Sequence, residues 1–174
     1  MDISGSMEGS KMDAAKASLA QFVDLLSDQD RIQIILFSDE LYEMVPLTQL
    51  AGERDQIQTY ISGIEALGGT RLYDAVAVGY DQLQNNADPT HIKAMVVLTD
   101  GQDTDSSMSI DDLEQKLVLN QTEGGNSPKV FTIAFGDNAD EDVLVSISDA
   151  TGARQFTGDI DNIFDIYVQI ATFF

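Results

Sequence analysis

The chain has 174 residues, 43% of them hydrophobic, enough for one compact domain that buries roughly 70% of its unfolded surface. Thirty Asp and Glu against nine Lys and Arg leave a formal charge of −21, which repels a phosphate backbone over most of the surface and excludes nucleic acid as a partner. Cysteine is absent and His91 is the only histidine, so disulfides, thiol chemistry and the multi-histidine sites that zinc prefers fall away together.

Apolar residues at helical spacing begin at 12–26, where Ala15, Leu19, Phe22, Val23 and Leu26 share one face. The run 31–38 (RIQIILFS) reads as a buried strand, and 41–47 as an edge strand, because Pro46 is tolerated only near an edge. Ile57, Ile61 and Ile64 return to the helical period, as do Leu72, Val76, Gly79 and Leu83. The run 94–99 (AMVVLT) is the strongest strand signal. Ser109 followed by Asp112 has the form of a capping box ahead of Leu113 and Leu117. A polar loop over 120–128 carries a turn signal at Gly124, Gly125 and Asn126, and Asn120, Gln121 and Thr122 fit a glycosylation acceptor triplet. A third buried strand (129–135, KVFTIAF), a helix (141–150), an edge strand (154–157) and a last helix (162–173) follow. Strands alternating with helices, with no internal repeat, predict a single layered α/β domain over 1–174. No run approaches the ~20 apolar residues of a membrane span, and no basic start followed by an apolar stretch marks a signal peptide.

Three segments carry candidate chemistry. In 1–7 (MDISGSM), Asp2, Ser4 and Ser6 alternate around Gly5, so one carboxylate and two hydroxyls project to the same side. Gly68 and Gly69 permit a tight turn that sets the Thr70 hydroxyl at a helix start. Asp100 ends the strongest strand, and ligand sites of open α/β sheets gather outside the carboxyl ends of the strands. Other patterns are weaker. Residues 103–114 (DTDSSMSIDDLE) place oxygens at the spacing of a calcium loop, but Met108 stands where that loop turns on Gly, so an acidic loop entering a capped helix is expected. The acidic run 137–142 lacks ligand spacing and reads as a turn that starts a helix. His91 precedes a strand at its N-terminal end, away from the rim, so a Ser/His/Asp triad is not assembled. An aspartyl nucleophile at Asp2 lacks the second carboxylate, Ser4 standing in its place, and the phosphate-cradling and nucleophile-elbow motifs are missing.

Taken together, DISGSM, GGTRLYDA and LTDGQDT resemble, in order and separation, the von Willebrand factor type A domain of bacterial type with its metal-ion-dependent adhesion site. The likeness continues through FTIAFG (131–136) and ATGARQF (150–156). It implies a Rossmann-like, doubly wound and mostly parallel open sheet with one antiparallel edge strand and helices on both faces. It also implies a divalent cation at the top of the sheet, with Ser4, Ser6 and Thr70 as hydroxyl ligands and Asp2 and Asp100 bound directly or through water. Five oxygens plus waters suit Mg²⁺, with Mn²⁺ or Ca²⁺ as alternatives. Two carboxylates and three neutral hydroxyls leave such an ion electrophilic toward a carboxylate offered by a partner protein. The expected function is cation-bridged protein binding without catalysis. The alternatives are a metal-dependent hydrolase of phosphate esters and a structural module with a vacant site. The resemblance implies a bacterial envelope or secreted setting within a longer protein. One departure stands out: in the family an apolar strand runs into the Asp2 loop, whereas here only Met1 precedes Asp2. The first central strand is therefore expected to be largely missing, its neighbours to expose unpaired backbone groups, Asp2 and Ser4 to be held less rigidly, and a strand-exchanged dimer to be one means of repair.

Overall fold

A computed structural model describes residues 1–86, 88, 90–121 and 127–173. The turn at Gly124 to Asn126, Thr122 of the acceptor triplet and the terminal Phe174 lie outside them. After a 3₁₀ turn at Gly5–Met7, the chain runs α1 (Ser10–Leu25), β1 (Arg31–Phe37), β2 (Leu41–Gln49), α2 (Arg54–Ser62) and α3 (Leu72–Asn85). It continues with β3 (Ala94–Thr99), α4 (Ile110–Leu119), β4 (Lys129–Phe135), α5 (Glu141–Ala150), β5 (Gln155–Gly158) and α6 (Ile163–Ala171).

Strands β3, β4 and β5 pair in parallel in that order, and β2 runs antiparallel to β1 as the edge strand that Pro46 demanded. Because alternate side chains of a strand point to opposite faces, Ile32, Ile34, Leu36, Leu98, Ile133 and Phe135 join one core with α1, α2 and α6. Phe37, Val97, Val130 and Ala134 join a second core with α3, α4 and α5. The doubly wound layering is thus present. Ser109 Oγ accepts the Asp112 N–H and caps α4 as expected, and Asp140 accepts the Val143 N–H and caps α5, so the acidic run 137–142 serves as a helix start.

The sheet is divided where the central strand was expected to be short. Among the described residues β1 and β3 share no ladder, and Met1–Ile3 joins them alone. The Phe37 N–H donates to the Met1 C=O (3.1 Å), the Ile3 N–H to the Phe37 C=O (2.9 Å) and the Asp2 N–H to the Leu98 C=O (2.9 Å). The Met1 amine donates to the Ile35 C=O at 2.8 Å, and burial lowers it from 8.0 to about 5. In line with Met1, between the facing edges of β1 and β3, lies a cavity of about 390 Å³. Leu19, Phe22 and Tyr167 line it from one helical layer, Gly79 and Leu83 from the other. By the alternation of the pleat, the backbone groups of Gln33, Ile35 and Val96 point into this gap.

Candidate functional site

The rim at the carboxyl ends of the strands is assembled from three stretches of chain. The loop 2–6 is stitched to the glycine turn by the Leu67 N–H on the Ile3 C=O (2.6 Å) and the Gly5 N–H on the Gly68 C=O (3.0 Å). Gly68 has φ +74, and a Cβ there would meet Asp39 Oδ1 at 2.2 Å; a Cβ on Gly69 would meet Asp105 Oδ2 at 1.9 Å. Gly68 requires glycine for its dihedral angle, and at both positions the bare backbone admits the close approach of a carboxylate. The following residue, Thr70, is pinned through its backbone. Its N–H donates to Thr104 Oγ1 (3.0 Å) and Asp105 Oδ2 (3.1 Å), and its C=O accepts the N–H groups of Thr104 and Asp105.

The side chains converge from these supports. Asp2 is fully buried; its Oδ1 accepts the Ser4 N–H at 2.7 Å and its Oδ2 accepts Thr99 Oγ1 at 2.5 Å. Ser4 Oγ and Ser6 Oγ lie 3.0 Å apart, and Ser6 Oγ donates to Asp100 Oδ1 at 2.6 Å. Asp100 is also fully buried, and its Oδ2 accepts Lys11 Nζ at 2.5 Å. A side-chain carbon built on Gly101 would stand 3.9 Å from both Ser6 Oγ and Thr70 Oγ1, which places those hydroxyls around one point beside the bare glycine. All five residues expected at the site therefore lie at this rim, with Ser4, Ser6 and Asp100 in one continuous chain of oxygens. Asp2 stands one layer below, its two oxygens already fixing the Ser4 backbone and Thr99.

Burial pushes the Asp2 carboxyl above its ordinary value, and the Asp100 charge adds to the rise. Hydrogen bonds from Thr99 and Ser4 oppose it by favouring the carboxylate. The Lys11 ammonium pairs with Asp100, and among the described residues no basic side chain is ion-paired with Asp2. Among the described residues no group of three or more His, Cys, Asp or Glu gathers at one point. The rim therefore offers a donor set of two carboxylates and three hydroxyls. These are hard oxygens, the type that Mg²⁺, Mn²⁺ and Ca²⁺ accept, and the set fits such an ion.

The acidic stretch that mimics a calcium loop has a different use. Asp103 Oδ1 accepts the N–H groups of Leu72 (2.8 Å) and Tyr73 (3.3 Å), capping α3 from a distant loop, and Ser106 Oγ accepts the Asp74 N–H (3.1 Å). Asp74 in return accepts the N–H groups of Ser107 and Met108. A carboxylate at a helix N-terminus satisfies orphan donors and complements the helix dipole, so these oxygens brace the Thr70 turn. His91 is a surface residue paired with Asp88 at 2.7 Å, at the opposite end of β3. Sequence reasoning missed Lys11, Thr99 and Asp105. Thr99 could have been found from its place beside Asp100 at the strand end, whereas nothing in the local pattern marks Lys11.

The family profile of the von Willebrand factor type A domain matches residues 1–165. A von Willebrand factor A domain-containing protein of Dictyostelium discoideum is 26% identical over 93% of this chain, and human inter-alpha-trypsin inhibitor heavy chain H4 is 26% identical over 98% of it. The chain spans only 18% and 19% of the lengths of those relatives. Among solved structures, the von Willebrand factor type A protein from Catenulispora acidiphila superposes with a TM-score of 0.80 at 22% identity, covering 97% of this chain and 40% of that one. Proximal thread matrix protein 1 from the mussel byssus, with a zinc-occupied metal-ion-dependent adhesion motif, superposes with a TM-score of 0.73 at 17% identity, covering 99% of this chain and 43% of that one. With the profile spanning nearly the whole sequence and the layered fold behind it, this chain belongs to the von Willebrand factor type A domain family.

Proposed function

We propose that this domain is a divalent-cation-dependent binding module. In this reading Ser4, Ser6 and Thr70 supply hydroxyl oxygens to Mg²⁺, or to Mn²⁺ or Ca²⁺, and Asp2 and Asp100 bind directly or through water. The cation, when bound, supplies an electrophilic position that a carboxylate of a partner protein can fill. The observation that carries the reading is the oxygen chain Ser4–Ser6–Asp100, built at 3.0 and 2.6 Å from segments 94 residues apart, with the Thr70 hydroxyl beside it. Domains of this family are generally adhesion and protein-interaction modules, which supports a role without bond-making. The hydrolase alternative draws no support from the one imidazole, which sits at the far end of β3. A setting within a longer bacterial envelope or secreted protein is in keeping with bacterial relatives such as the Catenulispora protein.

Metal dependence is tested by thermal melting after chelation, with Mg²⁺ restored in steps. A ligand at about 100 times its Kd adds about 2.7 kcal/mol to the native state, or roughly 5–11 °C for a domain of this size. Asp100→Ala is expected to abolish the rise. Because the mussel protein holds zinc in its motif, Zn²⁺ is titrated in parallel to rank the metals. No Mg²⁺-dependent shift in the wild-type chain, with Asp100→Ala melting alike in metal and chelator, would refute the reading and favour a structural module.

A further inference from the structure

We propose that Lys11 is the site's internal counter-ion, which holds the oxygen cluster closed and must leave Asp100 before a divalent cation enters, so that Lys11 sets the metal affinity. This inference rests on the metal-binding reading above.

Three observations carry it. Asp100 is fully buried, and a buried carboxylate without water needs a paired charge and hydrogen bonds to its oxygens. Those partners are Ser6 Oγ on Oδ1 and Lys11 Nζ on Oδ2, so both oxygens facing the cluster are taken from inside the molecule. Among the described residues no other basic side chain is ion-paired with Asp100 or Asp2. Second, the fold provides a lane for this side chain. Lys11 is the second residue of α1, and a Cβ on Gly136, where φ is +86, would lie 3.6 Å from Lys11 Cε and 3.8 Å from Nζ. The stem thus runs along bare backbone at the end of β4. Third, the ammonium sits on the carboxylate that the cation would use. Two positive charges on one buried carboxylate repel at short range in a medium that screens poorly. The flexible four-carbon stem of lysine lets its head withdraw to solvent, where 28% of the side chain is already exposed. The other lysine of α1, Lys16, donates to the carbonyls of Ser62 and Ile64 and serves as an internal control.

The test uses the whole chain with Mg²⁺ as the probe, in wild type, Lys11→Met, Lys11→Gln and Lys16→Gln. Calorimetric titration at fixed ionic strength is expected to give at least tenfold tighter Mg²⁺ binding for both Lys11 variants and an unchanged affinity for Lys16→Gln. Melting in chelator confirms that each variant folds, with the Lys11 variants melting below wild type because Asp100 has lost its partner. Independently, acylation of lysines mapped by mass spectrometry is expected to label Lys11 several-fold faster in Mg²⁺ than in chelator, while Lys16 labels equally in both. Mg²⁺ binding only in the Lys11 variants supports the proposal in its strongest form. Equal or weaker binding by both Lys11 variants overturns it. An equal gain in Lys16→Gln, or metal uptake with no change in Lys11 labelling, also overturns it, because the effect would then be the general charge of an acidic chain. If none of the four proteins takes up Mg²⁺, the metal-binding reading fails and the counter-ion role fails with it.

Discussion

Filling the gap between β1 and β3 should stabilise the domain by an amount that can be worked from its size. A chain carrying five additional Val, Ile or Leu residues ahead of Met1 would continue the line of Met1 into the cavity, parallel to both neighbours. At about 24 cal/mol per Å³, a void of about 390 Å³ corresponds to about 9 kcal/mol. Ordering five residues costs about 7 kcal/mol at ~1.5 kcal/mol each. The extension also turns the Met1 amine into an amide. That amine is lowered from 8.0 to about 5 by burial, so the folded chain releases a proton that the unfolded chain keeps. Stability then rises with pH between about 5 and 8, and the penalty at pH 7 is about 1 kcal/mol, growing to about 4 kcal/mol toward pH 5. The sum is a gain of about 3 kcal/mol at pH 7, or roughly 6–12 °C in Tm.

The assay is thermal and urea unfolding of the two chains at pH 5, 6.5 and 8. The difference between them is expected to be largest at pH 5, since the side-chain titrating groups are common to both and the new terminal amine lies outside the slot's middle. An extension of five alternating Asp and Gly residues should keep only the contribution from the lost amine and none of that from filling the cavity, because charged residues cannot enter an apolar slot. A Tm difference below 2 °C together with parallel pH profiles would refute the reasoning.

Three further outcomes are expected. Asp103→Ala removes the shared acceptor of the Leu72 and Tyr73 N–H groups and should cost about 1 kcal/mol in urea unfolding, with weaker Mg²⁺ binding because the Thr70 turn loosens. Gly69→Ala would drive a methyl group to within 1.9 Å of Asp105 Oδ2, displacing the carboxylate that holds the Thr70 N–H. It should cost about 1–3 kcal/mol and broaden or abolish the Mg²⁺-dependent Tm shift, whereas Gly9→Ala, with φ +81 but nothing within 4 Å, should lose stability only. Light scattering across a concentration series should show the chain as given forming a dimer that the five-residue extension dissolves, if strand exchange fills the slot; a monomer at every concentration excludes exchange.

The layered fold was legible because its signals are periodic. The strands β3 and β4 are nearly continuous apolar runs buried on both faces, and the α1 and α3 stripes recur at helical spacing, so neither depends on distant contacts. The end of α1 was less clear: Leu26 belongs to the apolar stripe, yet the helix stops at Leu25 because the chain turns extended there to reach β1. The five candidate residues were legible as a set because their three segments match the family pattern in order and separation. The bracing around them was not. Asp103 and Asp105 look like ligands in sequence because spacing cannot say whether a carboxylate meets a metal or a backbone N–H from a segment 30 or more residues away. Lys11 was invisible for the same reason, its partner lying 89 residues on.

The gap in the sheet and the oxygen cluster share one short segment, and this joins the energetics of the two. Met1–Ile3 contributes its backbone to both β1 and β3, while the Asp2 side chain, from the middle of that segment, fixes Ser4 and Thr99. Five main-chain hydrogen bonds hold this segment, one of them made by a buried amine that disfavours its charged form. Any occupant of the slot that pairs with β1 and β3 narrows the positions open to Asp2 and Ser4, and so lowers the ordering cost that a cation would otherwise meet. Linkage makes the relation reciprocal: whatever factor the occupied slot adds to metal affinity, the bound metal adds to retention of the strand. On the metal-binding reading, the oxygen cluster and the central strand act as one thermodynamic unit, although the residues proposed to hold the ion and those that would line the slot have only Met1–Ile3 in common.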